Sequence, residues 1–326
     1  MLNKLRPYQK SIRKELHALK KTSANTSFEK KAVRQVCNLA CNGKLIRGSL
    51  VLHIASLHGK TPSPRLGAAY EILHTGLLIH DDIIDKDDIR RGQRSIRNVY
   101  AEQNTQEYGD NQAICVGDIA FFYGFELLLG TLPTQKKNLL QPLLTWFRST
   151  GGGQMLDIDI TSRDTVTQEE ILNMYIYKTA HYTFTAPLQL GFQYHKDRQY
   201  LKKDIENIGK ELGLLFQLQD DYLAYTPQEN TGKPQYNDVI EGKKTVIRRL
   251  IENENEETKN IYGKSDLEEE DKKIVKEAFE NIEEEYKEIL YKKKSDVIHT
   301  IKTSDLDDEL TTQFETLATY LCKRKK

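Results

Sequence analysis

The sequence predicts an all-α fold, a single domain of packed helices around a central apolar cavity. Three observations carry that expectation. Apolar residues recur at helical spacing through nearly all of the 326 residues. No stretch alternates with period two for long enough to build a sheet. Prolines number only eight, and several sit where helices should end: Pro62, Pro64, Pro133, Pro227 and Pro234. Helices are expected over residues 2–20 and 28–40, divided by a loop at 21–26, and over 45–57. The next, 65–85, starts after the Pro62/Pro64 pair. A loop at 87–98 leads to 112–129, and Pro133 separates that helix from 136–157. Helices at 168–192 and 201–225 precede the proline-containing loop 226–241, and 243–252 follows it. From about residue 252 the chain is rich in Glu and Lys. That composition fits an amphipathic hairpin, 267–294 and 306–323, with a solvated outer face.

Basic and acidic residues balance at 48 each, so nothing global points to nucleic acid or an anionic membrane. Any anion site must be local. The segment Met1-Leu2-Asn3-Lys4-Leu5-Arg6 lacks the apolar core of a signal peptide. No apolar run is expected to reach the roughly 18 residues that span a bilayer. Cys37, Cys41, Cys115 and Cys322 have neither metal-site nor redox spacing. We expect all four to be reduced and mostly buried, in a cytoplasmic protein.

The most informative stretch is Leu77-Leu78-Ile79-His80-Asp81-Asp82-Ile83-Ile84-Asp85, followed by Arg90-Arg91-Gly92. Apolar residues run straight into carboxylates. On a helix, Asp81 and Asp85 stand one turn apart on one face. Such a pair suits Mg²⁺, which binds through one or two carboxylates plus phosphate oxygens. A solvated acidic helix end is the alternative, but it would need no apolar lead-in. Phe216-Gln217-Leu218-Gln219-Asp220-Asp221 repeats the design about 140 residues later, and a loop with Gly232-Lys233 and then Glu241-Gly242-Lys243 follows. Two such clusters could face each other across a groove with a trinuclear metal site between them. Lysines beside carboxylates fit a polyanion held by metal and ammonium together. Upstream, Lys44 and Arg47 share a helix face and could grip a second phosphate. His74 lies two turns before Asp81, roughly 10 Å away, too far for the same metal but within reach of a neighbouring anion.

With these residues in view, the chain resembles the trans-isoprenyl diphosphate synthases, or polyprenyl synthetases. The resemblance runs from Gly43 to Thr245 and includes Gly43-Lys44-x-x-Arg47, Glu71-x-x-His74, Asp81-Asp82-x-x-Asp85, Arg90-Arg91-Gly92, Gly117-Asp118, Gly153-Gln154-x-x-Asp157, Lys178-Thr179, Phe216-Gln217-x-x-Asp220-Asp221, Gly232-Lys233 and Glu241-Gly242-Lys243. It implies an isoprenoid synthase helical bundle and a homodimer. It implies that Asp81, Asp85 and Asp220, supported by Asp82 and Asp221, hold three Mg²⁺ ions, with Mn²⁺ as a substitute, on an allylic diphosphate. Arg90, Lys178, Lys233 and Lys243 would grip that diphosphate. Lys44, Arg47, His74 and Arg91 would hold isopentenyl diphosphate. Lys178, Thr179 and Gln217 would line the place where positive charge develops.

The chemistry suits those residue types. Metal and cations stabilise a departing diphosphate. The allylic cation left behind is attacked by the isopentenyl double bond, and a proton leaves to the released diphosphate. No strong protein base is needed, in keeping with the lack of a Ser-His-Asp or Cys-His arrangement. Two departures from the family pattern stand out. Ala224 occupies the position of a third Asp in the second motif, and Arg94-Ser95-Ile96-Arg97 replaces Pro-Thr-x-His. Arg94 and Arg97 are expected to be solvated.

The prenyl tail should lie along the helix below Asp81. Leu77 and Gly76, one turn down, offer little obstruction, so the floor is expected deeper, at Leu73 or on a facing helix at Phe121, Phe122 or Tyr123. This favours a product of C20, geranylgeranyl diphosphate, or longer. Farnesyl diphosphate synthesis is the alternative. A terpene cyclase is disfavoured by the second anion group, and a regulatory subunit of a heteromeric synthase by the intact Asp81, Asp85, Asp220 and Lys178.

Overall fold

The computed structural model describes residues 1–21, 24–132, 140–226 and 235–324. In order, α1 spans Leu2–Leu19, α2 Ser27–Cys41, α3 Ile46–Ala55, α4 Pro64–Ile84, α5 Ile96–Ala101, α6 Gln106–Thr131 and α7 Leu140–Thr161. A continuous run follows: α8 (Gln168–Tyr175), a π-helical segment (Ile176–Thr185) and α9 (Ala186–Phe192). Then come α10 (Lys202–Tyr225), α11 (Asn237–Ile240), α12 (Val246–Glu254), α13 (Glu269–Lys302) and α14 (Asp308–Lys323). Strands are confined, among the described residues, to a two-stranded antiparallel hairpin, β1 (Ile89–Arg90) and β2 (Gln93–Arg94).

Local chemistry explains where the boundaries depart from apolar spacing. α6 starts six residues earlier than expected because the Thr105 hydroxyl accepts the Tyr108 N–H, an N-cap. The expected loop 87–98 instead holds the hairpin and the start of α5. Lys86, Arg91 and Gly92 take φ of 57°, 55° and 71°, and these reversals fold the chain back tightly. Residues 168–192 are not one regular α-helix. The Ala186 N–H reaches the His181 carbonyl, five residues back, which is π geometry.

Two apolar clusters form the core. Leu16, Val36, Leu66, Tyr70 and Leu128 belong to one, and Tyr175, Leu212, Tyr286 and Phe314 to the other. α3 joins them, with Leu50 and Ile54 in the second cluster and Val51 and Leu52 in the first. α4 and α6 pack antiparallel in a fixed register. A Cβ on Gly117 would meet His80, one on Gly76 would lie 3.0 Å from Phe121, and one on Gly124 would lie 2.7 Å from Leu73. α6 also corrects one expectation. An 18-residue window of it has mean hydropathy 1.6, long and apolar enough to cross a membrane, and 44% of that window is buried inside the protein. α10 lies directly on the π segment at Gly213, where a Cβ would come within 2.3 Å of Ala180 Cα. Gly213→Ala is therefore expected to destabilise by about 1–3 kcal/mol through overpacking against backbone, read as a lower denaturation midpoint.

Candidate active site

The two acidic motifs close on one hollow. α4 ends at Ile84, with Asp85 as its C-cap, and the last turns of α10 carry Asp220 and Asp221. Asp81, Asp85, Asp220 and Asp221 all line a cavity of about 440 Å³. Within each pair one carboxylate is buried and supported from behind. Asp82 takes the Arg90 guanidinium, and Asp221 accepts the Tyr175 hydroxyl and the Gln217 amide, the latter at 2.9 Å. Burial raises the Asp82 carboxyl to about 7, against the pull of Arg90, and holds Asp221 well above the usual carboxylate range.

Cations reach the same hollow from three elements. Lys178, on the π segment, bonds Asp157 at 2.6 Å and stands 3.7 Å from Asp81. Lys243 lies 2.6 Å from Asp85, 3.3 Å from Asp157 and 3.5 Å from Glu241. Burial works against both ammonium charges, but the facing carboxylates hold both pKa values above the ordinary lysine value. Arg90 adds contacts to Asp87 at 2.8 Å and Asp81 at 3.6 Å. Thr179 donates to the Gln217 carbonyl at 2.8 Å, so these side-chain oxygens sit between Lys178 and the second motif. Asp85, Asp87 and Glu241 can each place an oxygen within 4.8 Å of the others, a spacing one cation could share.

The anion group assembles beside it. Arg47, His74 and Arg91 line the cavity. Arg47 donates to Thr183 Oγ1 at 3.0 Å and stacks over Tyr182. Arg91 lies flat over Gly43, where a Cβ would be 2.6 Å from its Cζ, and donates to the Leu39 carbonyl at 2.6 Å. Lys44 is exposed and is not among the side chains that line the cavity; partial burial, then the Arg324 charge, lowers its ammonium pKa from the ordinary lysine value, against Asp220. Its carbonyl accepts the Gln9 amide at 2.9 Å. Non-glycine residues with left-handed φ, among those described, are Leu45, Lys86, Arg91 and Tyr236. Each is a site residue or adjoins a site loop, and each carries a cost of about 1–3 kcal/mol that the surrounding packing must offset.

A second cavity of about 560 Å³, mostly apolar, opens below the first. Leu78, Asp81, Lys178 and Tyr182 line both. Leu77 and Phe121 are in its wall, and Phe125 and Phe147 lie deeper on α6 and α7. Their rings meet edge to face at 6.0 Å, and Phe147 meets Tyr70 at 5.8 Å.

A family model for polyprenyl synthetase matches residues 30–282. The chain belongs to that family. It is accordingly a prenyltransferase, an isoprenyl diphosphate synthase. It is 33% identical over 237 residues to a short chain isoprenyl diphosphate synthase of Methanothermobacter thermautotrophicus, covering 70% of each chain. A geranylgeranyl diphosphate synthase of Saccharolobus solfataricus is 32% identical over 241 residues, again 70% of each chain. A farnesyl diphosphate synthase of Micrococcus luteus is 33% identical, over 65% of this chain and 73% of its own. Among solved structures, a geranylgeranyl pyrophosphate synthase from Corynebacterium glutamicum, complexed with isoprenyl diphosphate and magnesium, superposes over 100% of both chains. Its TM-score is 0.86 at 24% identity, a likeness of fold.

Several expectations need correction in this synthase. Phe122 is 76% exposed and points away from the apolar cavity. Leu73 is fully buried against Gly124, and Gly76 is covered by Phe121, so neither lines the tunnel. Arg97 is buried, bonded to Asp110 at 2.7 Å and Asp88 at 3.1 Å, whereas Arg94 is solvated as expected. Lys233 lies outside the described residues. Residues without an assigned role also emerge. Asp157 joins Lys178 to Lys243, and its signal was Gln154-x-x-Asp157. Asp238 lines the hollow near Ala224. Arg324, from the far end of the chain, bonds Asp220 at 2.9 Å and stacks 3.9 Å over Phe216. No motif announces it beyond the run Lys323-Arg324. Because that guanidinium occupies a carboxylate a cation would use, Arg324→Gln is expected to lower the Mg²⁺ concentration for half-maximal activity by about threefold. An unchanged Mg²⁺ titration would show that the two do not compete.

Proposed function

We propose that this synthase condenses isopentenyl diphosphate head-to-tail with an allylic diphosphate to give an all-trans prenyl diphosphate of C20 or longer. The observation that carries the reading is the junction of the two cavities: a polar hollow ringed by Asp81, Asp85, Asp220, Lys178 and Lys243 opens at Asp81 onto an apolar tunnel. A divalent metal fits the donor set, since hard carboxylate oxygens from two helix ends converge on one space. Asp81, Asp85 and Asp220 would hold it, backed by Asp82 and Asp221, and we expect three Mg²⁺ ions or Mn²⁺ in their place. When bound, it supplies Lewis-acid neutralisation of the departing diphosphate.

The chain's own residues do the rest. Lys178, Lys243 and Arg90 orient the allylic diphosphate and stabilise the charge it gathers as the C–O bond breaks. Lys44, Arg47, His74 and Arg91 hold isopentenyl diphosphate with its double bond toward Lys178. The oxygens of Thr179 and Gln217 face the developing cation. Leu77, Phe121 and Phe125 keep water from it.

The relatives named as geranylgeranyl diphosphate synthases support C20. So does the register of α4 and α6. Phe125 sits about two turns below Asp81, roughly 11–13 Å, which leaves one isoprene length beyond the level of Gly76. We read residues 1–326 as one domain, on the ground that α3 feeds both core clusters. We also infer a homodimer, because Ile114, Phe122 and Leu129 of α6 and Leu144 of α7 present large exposed apolar groups outside both cavities. The described thiols are free, as expected for a cytoplasmic chain. The test is incubation with labelled isopentenyl diphosphate, Mg²⁺ and C5, C10 or C15 primers, followed by sizing of the dephosphorylated products. Incorporation ending at C20 or beyond is expected. Failure to incorporate label with any of the primers would remove the catalytic reading, and a stop at C15 would remove the length.

A further inference from the structure

Glu71 is a buried carboxylate that the mechanism above does not use. It sits on α4, 1% exposed, and its Oε1 accepts the Gly48 N–H at 2.8 Å. Its Oε2 lies 3.5 Å from Nδ1 of His74, one turn on. His74 is 4% exposed, lines the anion hollow and stacks on Tyr182 with ring centroids 5.7 Å apart. The charged and titratable groups around the ring are Glu71 and Tyr70 on α4, Arg47 on α3, Arg91 after β1, and Tyr182 on the π segment. Without an anion, burial and the Arg47 charge push His74 down to about 3, outweighing Glu71. The ring is then neutral. Burial also opposes the charge on Glu71, but His74, the Gly48 N–H and Arg47 keep its carboxyl below the usual value.

A neutral imidazole has one N–H and one lone pair. If Nδ1 carries the proton, it faces the Glu71 carboxylate correctly and Nε2 turns a lone pair to the hollow. If Nε2 carries it, a lone pair meets Glu71. Once a diphosphate enters among Arg47, His74 and Arg91, either tautomer sets a lone pair against an anion. Only the imidazolium donates to both sides. The entering anion also screens the two arginines that keep the ring neutral, leaving Glu71 as its uncompensated partner.

We propose that Glu71 is a positioning residue that makes isopentenyl diphosphate binding proton-coupled: His74 takes one proton from solvent at Nε2 as the diphosphate arrives, and is held between Glu71 and the substrate. The proposal rests on the reading of this pocket as the isopentenyl diphosphate site. Affinity should then fall as pH rises above neutrality, because the complex binds one more proton than the free protein.

The experiment is calorimetric titration of the full chain with isopentenyl diphosphate in EDTA at pH 7.5, repeated in two buffers of different ionisation enthalpy. At that pH the diphosphate itself brings little proton, given a phosphate second pKa of about 6. The wild type is expected to take up at least about half a proton per site. Glu71→Gln is expected to lose the uptake and to raise KM for isopentenyl diphosphate about tenfold, with a smaller change in kcat. Lower uptake in the wild type, or undiminished uptake in Glu71→Gln, would overturn the proposal. If that variant does not fold, His74→Gln takes its place, and its uptake must vanish. Binding without proton uptake sinks this proposal alone. No binding of isopentenyl diphosphate at all would sink the reading of the pocket and the proposal with it.

Discussion

Replacing Asp81 by asparagine is expected to slow prenyl transfer by about 10³-fold, in the range seen when one charge-stabilising group is removed from a preorganised site. Asp81 is the carboxylate that both cavities share, and it stands 3.7 Å from Lys178 and 3.6 Å from Arg90. Asparagine keeps the size but loses the charge. On the proposed reading two effects then add: an oxygen that would face the metal is weakened, and Lys178 and Arg90 lose a partner that would hold them over the reacting bond. Stability should change little, because Asp81 is partly exposed and its loss leaves no buried group unsatisfied. Single-turnover rates at saturating Mg²⁺ measure the chemical step directly. A loss below about tenfold would show that Asp81 does not carry the ionisation.

Product length should shift in opposite directions for two substitutions in the tunnel. Phe125→Ala removes one ring of the edge-to-face pair with Phe147 and is expected to lengthen the product by at least one isoprene unit beyond wild type. Leu77→Phe adds an aromatic ring one turn below Asp81, in the wall of the same cavity, and is expected to shorten it. The deeper limit should persist in Phe125→Ala, because Tyr70, wholly buried, meets Phe147 and anchors its hydroxyl on the Tyr182 carbonyl at 2.7 Å. On this reading the floor is built by three helices, α4, α6 and α7. Sizing the dephosphorylated products of each variant reads the result. An unchanged ladder in Phe125→Ala would place the floor elsewhere, and an unchanged ladder in Leu77→Phe would mean that the tail does not pass that residue.

Phe121 and Phe122 show what periodicity could and could not convey. α6 carries apolar residues around much of its circumference, including Ile114, Phe122 and Leu129 on its exposed side. Apolar spacing therefore could not say which of two adjacent phenylalanines faces the tunnel. Contact with α4 decides it, through the pairing of Phe121 with Gly76. Asp81 and Asp220 were legible for the opposite reason. A carboxylate pair after an apolar helix is costly to bury unless something compensates it, so each cluster marks a site before any partner is known. Arg97 shows the limit of the same argument. An arginine in a predicted loop reads as solvated, but Asp88 and Asp110 converge on it only once α5 packs against α6.

The amino-acid order by itself determined the helical class, the positions of most helices, and the two acidic motifs with their basic companions. These are properties of neighbours along the chain, set by a 3.6-residue period and by capping within a few residues. The tertiary structure alone decided that Arg324 reaches Asp220 from 104 residues away, that Asp157 ties Lys178 to Lys243, and that Phe125 and Phe147 meet edge to face in the wall of the apolar cavity. Each of those depends on which faces of distant helices come together, and side-chain spacing along one helix does not specify its partner.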